Sequence, residues 1–500
     1  MNPKILELDA FIHRGTALRA QGRILGLCHG VFDLLHPGHV AHLQEAAAQV
    51  DHLFVTLTDD PYVDKGPDRP AFPADLRAEQ LAALACVDAV AVNPAATAVD
   101  LIARLRPHLF IKGGEFREGE DVTGHLQRER EAVEACGGRI HFTGGPVFSS
   151  SALLNRHLPT HPPGLEPWLE ALREAPGLDG LLAALEDLAG LRVLVVGETI
   201  IDEYRHCSPL GQAGKSALVA MREERVERHA GGACALANHL AGCGVATTLA
   251  TVLGEEAETL VAAQLNSAVE CVTWPAAGHR GISKRRYLDA AGHKLFEVYV
   301  GNEARAADPD GFAAWLEGEA PGFDLVVAAD FGHGLIGPRL ARGLPRWARL
   351  FAATAQVNAG NRGYHFITRY PRADFVALNE AELRLALREP EVPLDELMRT
   401  LTRHLDCRCL AVTRGAKGLH FLSGDAAPGD LPALTRRASD PVGAGDALLA
   451  LSAAGFAVGL DALPALFMGA AAAALAVQET GNRRPVDKGR LAKYLTSLLK

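Results

Sequence analysis

The sequence lacks an excess of basic residues. It holds 50 Lys and Arg against 60 Asp and Glu, which gives a formal net charge of −10 at pH 7 and a pI near 6.1. A protein that binds nucleic acid regardless of its sequence needs the opposite balance. We therefore exclude nucleic acid as a general partner and expect any recognition of phosphate to be local.

A disulfide framework is also lacking. The cysteines are odd in number, 9, and lie scattered between Cys28 and Cys409, which is typical of reduced thiols in the cytosol. Cys407 and Cys409 are close together, but no second pair and no histidine couple lies near them in the sequence. We therefore do not expect a zinc site.

Long apolar segments are missing as well. Residues 1–19 mix charged and apolar side chains, which excludes the apolar core of a signal peptide. Residues 447–477 carry a single charge, Asp461, but Gly459 and Pro464 flank it, and the longer half, 462–477, is shorter than the roughly 20 residues that span a bilayer. We expect two buried helices joined by a turn, no membrane partner and a cytoplasmic location.

What the sequence does contain is a regular alternation of short apolar runs with helical stretches. Its 500 residues amount to two or three domains of about 150 residues. The alternation stops at a Pro/Gly-rich stretch, residues 160–164, and the apolar run Leu191–Val196 opens a second module. We predict an α/β chain with domains at 1–160 and 191–500, and a linker at 161–190 that includes a short helix.

Five β-like runs in the first module are spaced as βαβ units require. They are Arg23–Cys28, Leu53–Thr58, Val87–Val92, Leu109–Ile111 and Arg139–Phe142.

The first candidate anion site is residues 28–39, Cys-His-Gly-Val-Phe-Asp-Leu-Leu-His-Pro-Gly-His. It follows the first predicted strand and runs into a predicted helix, whose unpaired N–H groups and dipole attract anions. His36 and His39, held by a Pro-Gly turn, can both face one phosphate and stabilise the charge of a pentacoordinate phosphorus. Two solvated loop histidines or half of a metal site are the alternatives, but the surrounding pattern favours phosphate.

This segment resembles the His-x-Gly-His nucleotidylyltransferases of the cytidylyltransferase-like group. Further matching pieces follow in the same order over about residues 20–157: Asp64-Lys65-Gly66, Arg69-Pro70, Arg77, 111–116 (Ile-Lys-Gly-Gly-Glu-Phe) and the serines 149–151. The resemblance implies a Rossmann-like domain. The Lys-Gly-Gly-Glu-Phe piece looks most like heptose-1-phosphate adenylyltransferases, whereas glycerol-3-phosphate cytidylyltransferases usually differ there.

The resemblance also implies roles for single residues. A sugar phosphate oxygen attacks the α-phosphorus of ATP or CTP and pyrophosphate leaves, with no covalent intermediate on the protein. His36, His39 and Lys65, together with Mg²⁺, would orient the reactants and neutralise charge. The further nucleotide or phosphate contacts implied are Phe32, Asp33, Arg77, Lys112, Ser150 and Ser151.

The second candidate anion site is residues 440–447, Asp-Pro-Val-Gly-Ala-Gly-Asp-Ala, directly before the Ala-rich stretch. Gly443 and Gly445 let the backbone approach a phosphate at a helix N-terminus. Asp446 can accept the proton of an attacking hydroxyl, which is the general-base role in phosphoryl transfer. A plain helix cap is the alternative.

Three other segments lead us to favour the catalytic interpretation: Gly231-Gly232-Ala233, residues 379–382 (Asn-Glu-Ala-Glu) and residues 412–418 (Val-Thr-Arg-Gly-Ala-Lys-Gly). In this order, the segments resemble the ribokinase-like, PfkB-type carbohydrate kinases over about residues 191–500. The resemblance implies an α/β domain with a small β lid, through which such kinases often form homodimers.

The roles implied by this second resemblance fall into three groups. Asp446 is the base, and Gly443, Ala444 and Gly445 form the anion hole. Asn379 and Glu382 act on the Mg²⁺–phosphate side, where Glu382 is a candidate metal contact, and Thr413, Gly415 and Gly418 line the nucleotide. The sugar contacts are Asp202, Gly231, Gly232 and, as a weaker assignment, Lys284.

The second module departs from the family pattern at three places. Ala235 replaces the usual asparagine after Gly-Gly-Ala, Pro441-Val442 stands where two threonines are common, and Val357-Asn358-Ala359 replaces the Asp-Pro-Lys of heptose kinases. Sugar identity is the property that these departures affect. Residues 209–216 nearly spell a P-loop, but Pro209 replaces its first glycine and no helix is predicted to follow.

Together the modules predict a bifunctional enzyme that makes a nucleotide-activated sugar, similar to ADP-heptose, for surface polysaccharide. The fused heptose kinase/adenylyltransferases have the same two modules in the opposite order. A cytidylyltransferase for glycerol 3-phosphate or a similar polyol phosphate is the alternative, with a kinase module of separate specificity. A C-terminal module that has lost turnover and only binds sugar or dimerises is a third hypothesis.

Overall fold

The computed structural model of the chain describes residues 2–116, 124–144, 162–275, 278, 281–301 and 304–500. The chain divides into two compact units, residues 1–161 with 492–500, and residues 162–491. The division differs from the expected domains at two places. From residue 162 the expected linker belongs to the second unit and is largely helical, because Leu169, Leu172, Leu181 and Leu185 are buried there. Residues 492–500 group with the first unit.

The first unit contains a parallel five-stranded sheet, as the spacing of its apolar runs predicts. The strands are β1 (Leu25–Gly30), β2 (His52–Thr58), β3 (Ala89–Asn93), β4 (Leu109–Lys112) and β5 (Arg139–Phe142), and the helices are α1 (Leu8–Ala20), α2 (Pro37–Ala47), α3 (Ala74–Ala82), α4 (Val99–Leu105) and α5 (His125–Ala135). The strand order is β3-β2-β1-β4-β5. The order reverses direction between β1 and β4, so the loop after β1 lies at a topological switch point, where α/β proteins bind ligands.

Both faces of this sheet are covered. Leu27 and Phe110 pack into one apolar cluster, and Cys28 and Ile111, the next residue of each strand, pack into another. Adjacent side chains of a strand point to opposite faces, so a strand buried on both faces reads as a continuous apolar run.

The second unit contains a nine-stranded sheet in the order β10-β9-β6-β13-β14-β15-β16-β17-β18. Its neighbouring strands are parallel from β10 through β16, and the last two pairings are antiparallel. The strands are β6 (Arg192–Gly197), β9 (Ala246–Thr251), β10 (Val269–Thr273), β13 (Leu325–Asp330), β14 (Phe351–Ala355), β15 (Ala373–Asn379), β16 (Cys407–Thr413), β17 (Leu419–Ser423) and β18 (Gly429–Leu431).

Helices α6 (Glu166–Glu174), α7 (Gly177–Asp187), α8 (Ala233–Gly242), α9 (Glu255–Gln264), α10 (Pro309–Glu319), α11 (Pro338–Trp347), α12 (Glu380–Leu387), α13 (Leu394–His404), α14 (Ala444–Ala457) and α15 (Ala462–Ala476) follow in chain order, and α16 (Lys488–Leu499) is the last helix. Helices α14 and α15 are the two buried helices predicted from the Ala-rich stretch. Among the described residues, no helix is both long and apolar enough to cross a membrane.

A separate four-stranded sheet, in the order β12-β11-β7-β8, forms the predicted lid. Its strands are β7 (Thr199–Gln212), β8 (Val219–Gly232), β11 (Ile282–Leu288) and β12 (Lys294–Val300). The segment that resembles a P-loop, 209–216, ends β7 and turns back into β8. A P-loop needs a helix directly after its glycines, so this segment lacks the required geometry.

Candidate active sites

The first site begins where β1 ends and α2 starts. His36 is the N-cap of α2, and its Nδ1 accepts a hydrogen bond of 3.3 Å from the backbone N–H of His39. Pro37 occupies the first turn, where its missing N–H costs nothing. The Pro-Gly turn of the motif therefore fixes the two histidines relative to each other and to the helix N-terminus.

The two imidazoles stack with ring centroids 3.8 Å apart and an interplanar angle of 15°. His39 Nδ1 donates to the carbonyl of Leu34 at 3.1 Å, while His36 Nδ1 is an acceptor and leaves its proton on Nε2. Burial, followed by the charges of His36 and Lys65, lowers the pKa of His39 to about 3. His39 is therefore neutral until an anion binds and favours its protonated form.

Lys65 lies in the same electropositive region. Burial, together with the charge of Arg69, lowers the pKa of Lys65 to about 8. Arg69 is itself bound by Asp33, with 2.7 Å between Nε and Oδ2. His39 and Lys65 thus respond alike, since crowding by positive charge and loss of water both lower the pKa of each group.

Asp33 does not have the geometry of a nucleotide contact. It is fully buried, and Oδ1 accepts hydrogen bonds from the backbone of Ala71 at 2.7 Å and Phe72 at 3.2 Å, while Oδ2 pairs with Arg69. Its role is to shape the basic loop. Phe32, which precedes it, has a left-handed φ of 49° and packs edge-on against His39 at 5.3 Å.

Arg77 also differs from its expected role as a phosphate contact. The side chain is fully buried, and it donates to the carbonyls of Phe72, Val31 and Thr58 and to the carboxylate of Asp60 at 2.5–2.9 Å. Four of the five guanidinium donors are thereby used inside the protein. Arg77 holds the loops after β1 and β2 together.

Lys112 is already paired. Its ammonium lies 2.8 Å from Glu129 of α5 and 3.4 Å from the carbonyl of His29. Burial opposes the ionisation of Glu129, but the charges of Lys112 and His29 and the hydrogen bonds from Lys112 and Ala98 together outweigh it and lower the pKa of the carboxyl. A phosphate contact by Lys112 must therefore compete with this ion pair. Ser150 and Ser151 lie outside the described residues.

The second site is a cavity of about 350 Å³ between the lid sheet and the carboxyl ends of the parallel strands. It brings together nine of the residues predicted for this module: Asp202, Gly232, Lys284, Asn379, Glu382, Thr413, Gly443, Gly445 and Asp446. Sequence reasoning assigned no role to the other lining residues, among them Arg286, Phe331, Thr354 and Gln356.

Asp446 lies in the first turn of α14, after Gly443, which caps the helix with a left-handed φ of 85°. A side chain at Gly443 would also collide with Asn482, because a Cβ there would lie 1.8 Å from Oδ1 of that residue. Burial, followed by the charge of Asp202, raises the pKa of Asp446 to about 7. A carboxylate tuned near neutrality suits a general base.

Asn379 and Glu382 form a capping box at the start of α12. The Glu382 backbone donates to Asn379 Oδ1 at 2.8 Å, and the Asn379 backbone donates to Glu382 Oε2 at 2.9 Å. Glu382 Oε1 accepts a further bond of 3.1 Å from Val357, one of the residues that depart from the family pattern. Burial raises the pKa of Glu382. Val357 therefore hydrogen-bonds this carboxylate even though residues 357–359 depart from the family pattern.

Two buried cations of the lid sheet face the cavity. Arg286 Nη1 lies 2.5 Å from Asp202 Oδ1, and Lys284 Nζ donates to Gln356 at 2.9 Å. Gly231 does not line the cavity, but a Cβ there would lie 2.1 Å from Asp202 Oδ2, so its lack of a side chain makes room for Asp202. The alternation of β11 places residues 284 and 286 on one face, a signal that could have identified Arg286.

Besides Gly231, three predicted residues do not line the cavity. Gly418 has a structural role, since a Cβ there would lie 2.2 Å from the carbonyl of Leu431. Gly415 begins a short 3₁₀ turn with a φ of 59°. Ala444 is the first residue of α14. Ala235, where the family has a polar residue, is buried inside α8.

Comparison with known protein families matches two segments of the chain. Residues 27–156 match the family described as cytidylyltransferase-like, and residues 367–489 match the pfkB family carbohydrate kinase. The chain therefore carries a cytidylyltransferase-like domain followed by a PfkB-type kinase domain, the two modules that the motifs predict.

Curated relatives match a part of the chain. "Bifunctional protein HldE" of Bradyrhizobium diazoefficiens is 43% identical over 155 residues, which cover 30% of each protein. The protein of the same name from Hyphomonas neptunium is 39% identical over 138 residues, 27% of each. The match lies in the N-terminal domain, and the chain spans less than a third of the length of these relatives.

Solved structures resemble the chain over a longer stretch. Arabidopsis thaliana ribokinase, complexed with ribose and ATP, has a TM-score of 0.48 and 20% identity, and the match covers 62% of this chain and 99% of that one. Phosphofructokinase-2 from Escherichia coli, in complex with potassium, has a TM-score of 0.48 and 14% identity, with 62% and 100% covered.

Proposed function

We propose that this chain, in which a cytidylyltransferase-like domain precedes a PfkB-type kinase domain, is a bifunctional enzyme of nucleotide-sugar synthesis. The kinase domain phosphorylates a sugar, and the N-terminal domain joins a sugar 1-phosphate to a nucleotide with release of pyrophosphate. An ADP-heptose-like product for surface polysaccharide fits best. The observation that carries the proposal is the cavity in which Asp446, the glycine loop and Asp202 meet, and the relatives named bifunctional support it.

In the kinase reaction, the oxygen of the sugar hydroxyl bonds to the γ-phosphorus of ATP, and Asp446 accepts the hydroxyl proton. The bond between that phosphorus and the β–γ bridging oxygen breaks, and ADP leaves. Gly443 and Gly445 present the backbone at the start of α14 to the transferring phosphate. Asp202 is held by Arg286 and orients a sugar hydroxyl.

Mg²⁺ would be bound on the nucleotide side of this cavity and would neutralise phosphate charge. Glu382 fits such a role, because each of its oxygens accepts one backbone hydrogen bond and a carboxylate oxygen has a further lone pair to offer. Among the described residues no cluster of three or more His, Cys, Asp or Glu could hold a metal alone. Magnesium commonly relies on one or two carboxylates, water and the phosphates of its substrate.

In the nucleotidyl transfer, a phosphate oxygen of the sugar 1-phosphate attacks the α-phosphorus and the bond to the pyrophosphate oxygen breaks. No proton needs to move, so the protein supplies position and charge. His36 donates from Nε2, and the polyphosphate favours the charged forms of His39 and Lys65. Ser150 and Ser151 remain proposed triphosphate contacts.

The experiment separates the two half-reactions in the full-length protein. With Mg²⁺, ATP and heptose 7-phosphate we expect ADP, and with ATP and heptose 1-phosphate we expect pyrophosphate. Replacing ATP by CTP and the sugar by glycerol 3-phosphate tests the alternative, which the match to the cytidylyltransferase-like family also accommodates. No pyrophosphate from any pair in a panel of sugar or polyol phosphates with ATP or CTP rejects the N-terminal activity. If no acceptor yields ADP, the third hypothesis applies, namely that the kinase domain has no turnover.

We also propose that the lid mediates a homodimer. Apolar side chains on one face of the edge strand β12 are exposed, Phe296 at 53% and Val298 at 38%. Burying such a surface against a second copy would stabilise a dimer. Sedimentation of the protein and of Phe296→Ser tests this, since a dimer that the variant does not weaken, or a wild-type monomer, contradicts it.

A further inference from the structure

A buried carboxylate to which the sequence assigned no role joins the lid sheet to the anion-hole loop. Asp440 is 3% exposed and accepts four hydrogen bonds. Two come from lid side chains, Tyr204 Oη at 2.5 Å and Lys294 Nζ at 2.8 Å. The other two come from backbone N–H groups, Val442 at 3.2 Å and Gly481 at 3.3 Å.

The backbone partners place Asp440 at the base of the phosphate cradle. Val442 begins the loop that lines the cavity through Gly443 and Gly445. A carboxylate that accepts the N–H two residues ahead closes a tight turn and fixes the direction of the chain. The orientation of the anion hole therefore depends on where the Asp440 carboxylate is held.

The side-chain partners connect that carboxylate to the lid. Tyr204 lies on β7, two residues after Asp202, and Lys294 begins β12. The Arg286 guanidinium, which pairs with Asp202, lies 5.4 Å from the centroid of the Tyr204 ring, and the Lys294 ammonium lies 5.9 Å from it. A continuous set of contacts thus runs from the sugar-facing carboxylate to the anion hole.

The geometry points to Tyr204, Asp440 and Lys294 as a positioning triad, which aligns the anion hole with the acceptor bound under the lid. The inference rests on the proposed kinase activity and goes beyond it. Burial disfavours an isolated carboxylate, so removing either lid partner leaves Asp440 undersatisfied and frees its turn to rearrange. Displacement of reacting groups by about 1 Å is enough to slow a reaction about a hundredfold.

The test removes one partner at a time. Lys294→Met keeps most of the side-chain stem, Tyr204→Phe removes only the hydroxyl, and Lys294→Arg keeps the charge. Lys215→Met, at the exposed turn between β7 and β8, is the matched control. With heptose 7-phosphate as acceptor, we expect Lys294→Met to lower kcat about ten- to a hundredfold with the KM for ATP nearly unchanged. We expect Lys294→Arg to restore most of the rate and Lys215→Met to match wild type.

Hydrogen exchange gives a second readout that needs no turnover. The amide of Val442 donates to Asp440, so Lys294→Met and Tyr204→Phe should speed exchange in a peptide covering residues 441–447 and leave β15 unchanged. Wild-type exchange in this peptide, together with wild-type kcat, overturns the inference. Accelerated exchange throughout the second unit also overturns it, because it indicates a general stability role. If the wild type makes no ADP, the proposed kinase activity fails, but the exchange comparison still decides this inference.

Discussion

The two proposed anion sites of this chain have pKa values shifted in opposite directions. Around His36 and His39, burial and neighbouring cations lower the pKa of His39 to about 3 and that of Lys65 to about 8. Around Asp446, burial and neighbouring carboxylates raise its pKa to about 7. The first site lacks negative charge, and a bound triphosphate would supply it. The second holds a carboxylate whose proton affinity suits a base that takes a proton from a sugar.

The sites also differ in what holds them. The loops of the first are fixed by buried side chains, chiefly Arg77 and the Asp33–Arg69 pair. The second also depends on backbone conformation, with a left-handed glycine at the cap of α14, beside the side-chain bonds of the α12 capping box and of Asp440. Changes at Gly443 should therefore affect the second site in a way that has no counterpart in the first.

The largest expected effect is that of Asp446→Asn. Removing the base should lower kcat for ADP formation by about 10²–10⁴-fold, because the amide cannot accept the hydroxyl proton. Pyrophosphate release from a sugar 1-phosphate should stay at the wild-type rate. Loss of both activities, or of neither, would contradict the prediction that each activity belongs to its own site.

The next effect in size is that of His36→Ala and His39→Ala. Each removes one imidazole from the stacked pair, and we expect pyrophosphate release to fall about 10²–10³-fold, as for other groups that stabilise transition-state charge. ADP formation in the kinase domain serves as the internal control and should not change. His42→Ala, one turn further along α2, should have a smaller effect than either.

Arg77→Met tests the structural role of a residue whose sequence position suggested phosphate binding. Leaving three carbonyls and Asp60 without this donor should destabilise the first unit by about 3–5 kcal/mol, seen as an earlier unfolding transition in denaturant. Arg104→Met is the control, because Arg104 pairs with Asp9 at the surface and should cost less than about 1 kcal/mol. Equal costs for the two would show that Arg77 does not hold these loops.

The sequence was sufficient for the strand–loop–helix frame of both sites, because each motif sits at the end of an apolar strand whose period is clear. It also singled out Asp446, Gly443 and Glu382, which the structure brings to one cavity. The roles assigned to these residues, to Asp33 and to Arg77 stay predictions, and the sequence did not show that Asp33, Arg77 and Lys112 are already bonded within the protein. The partners that decide these roles, such as Glu129 for Lys112, lie far along the chain. Spacing alone does not distinguish a side chain that contacts a ligand from one that positions a loop.

The most direct test of these opposite pKa shifts is the pH dependence of kcat/KM for both half-reactions, measured on one sample of the protein. This ratio reports the ionisation of the free enzyme. Asp446 must be deprotonated to act, so ADP formation should fall as the pH drops below about 7. Lys65 must be protonated to bind polyphosphate, so pyrophosphate release should fall about tenfold between pH 7 and pH 9, and Lys65→Met should lose that dependence. Two profiles that rise and fall together over this range would contradict the account.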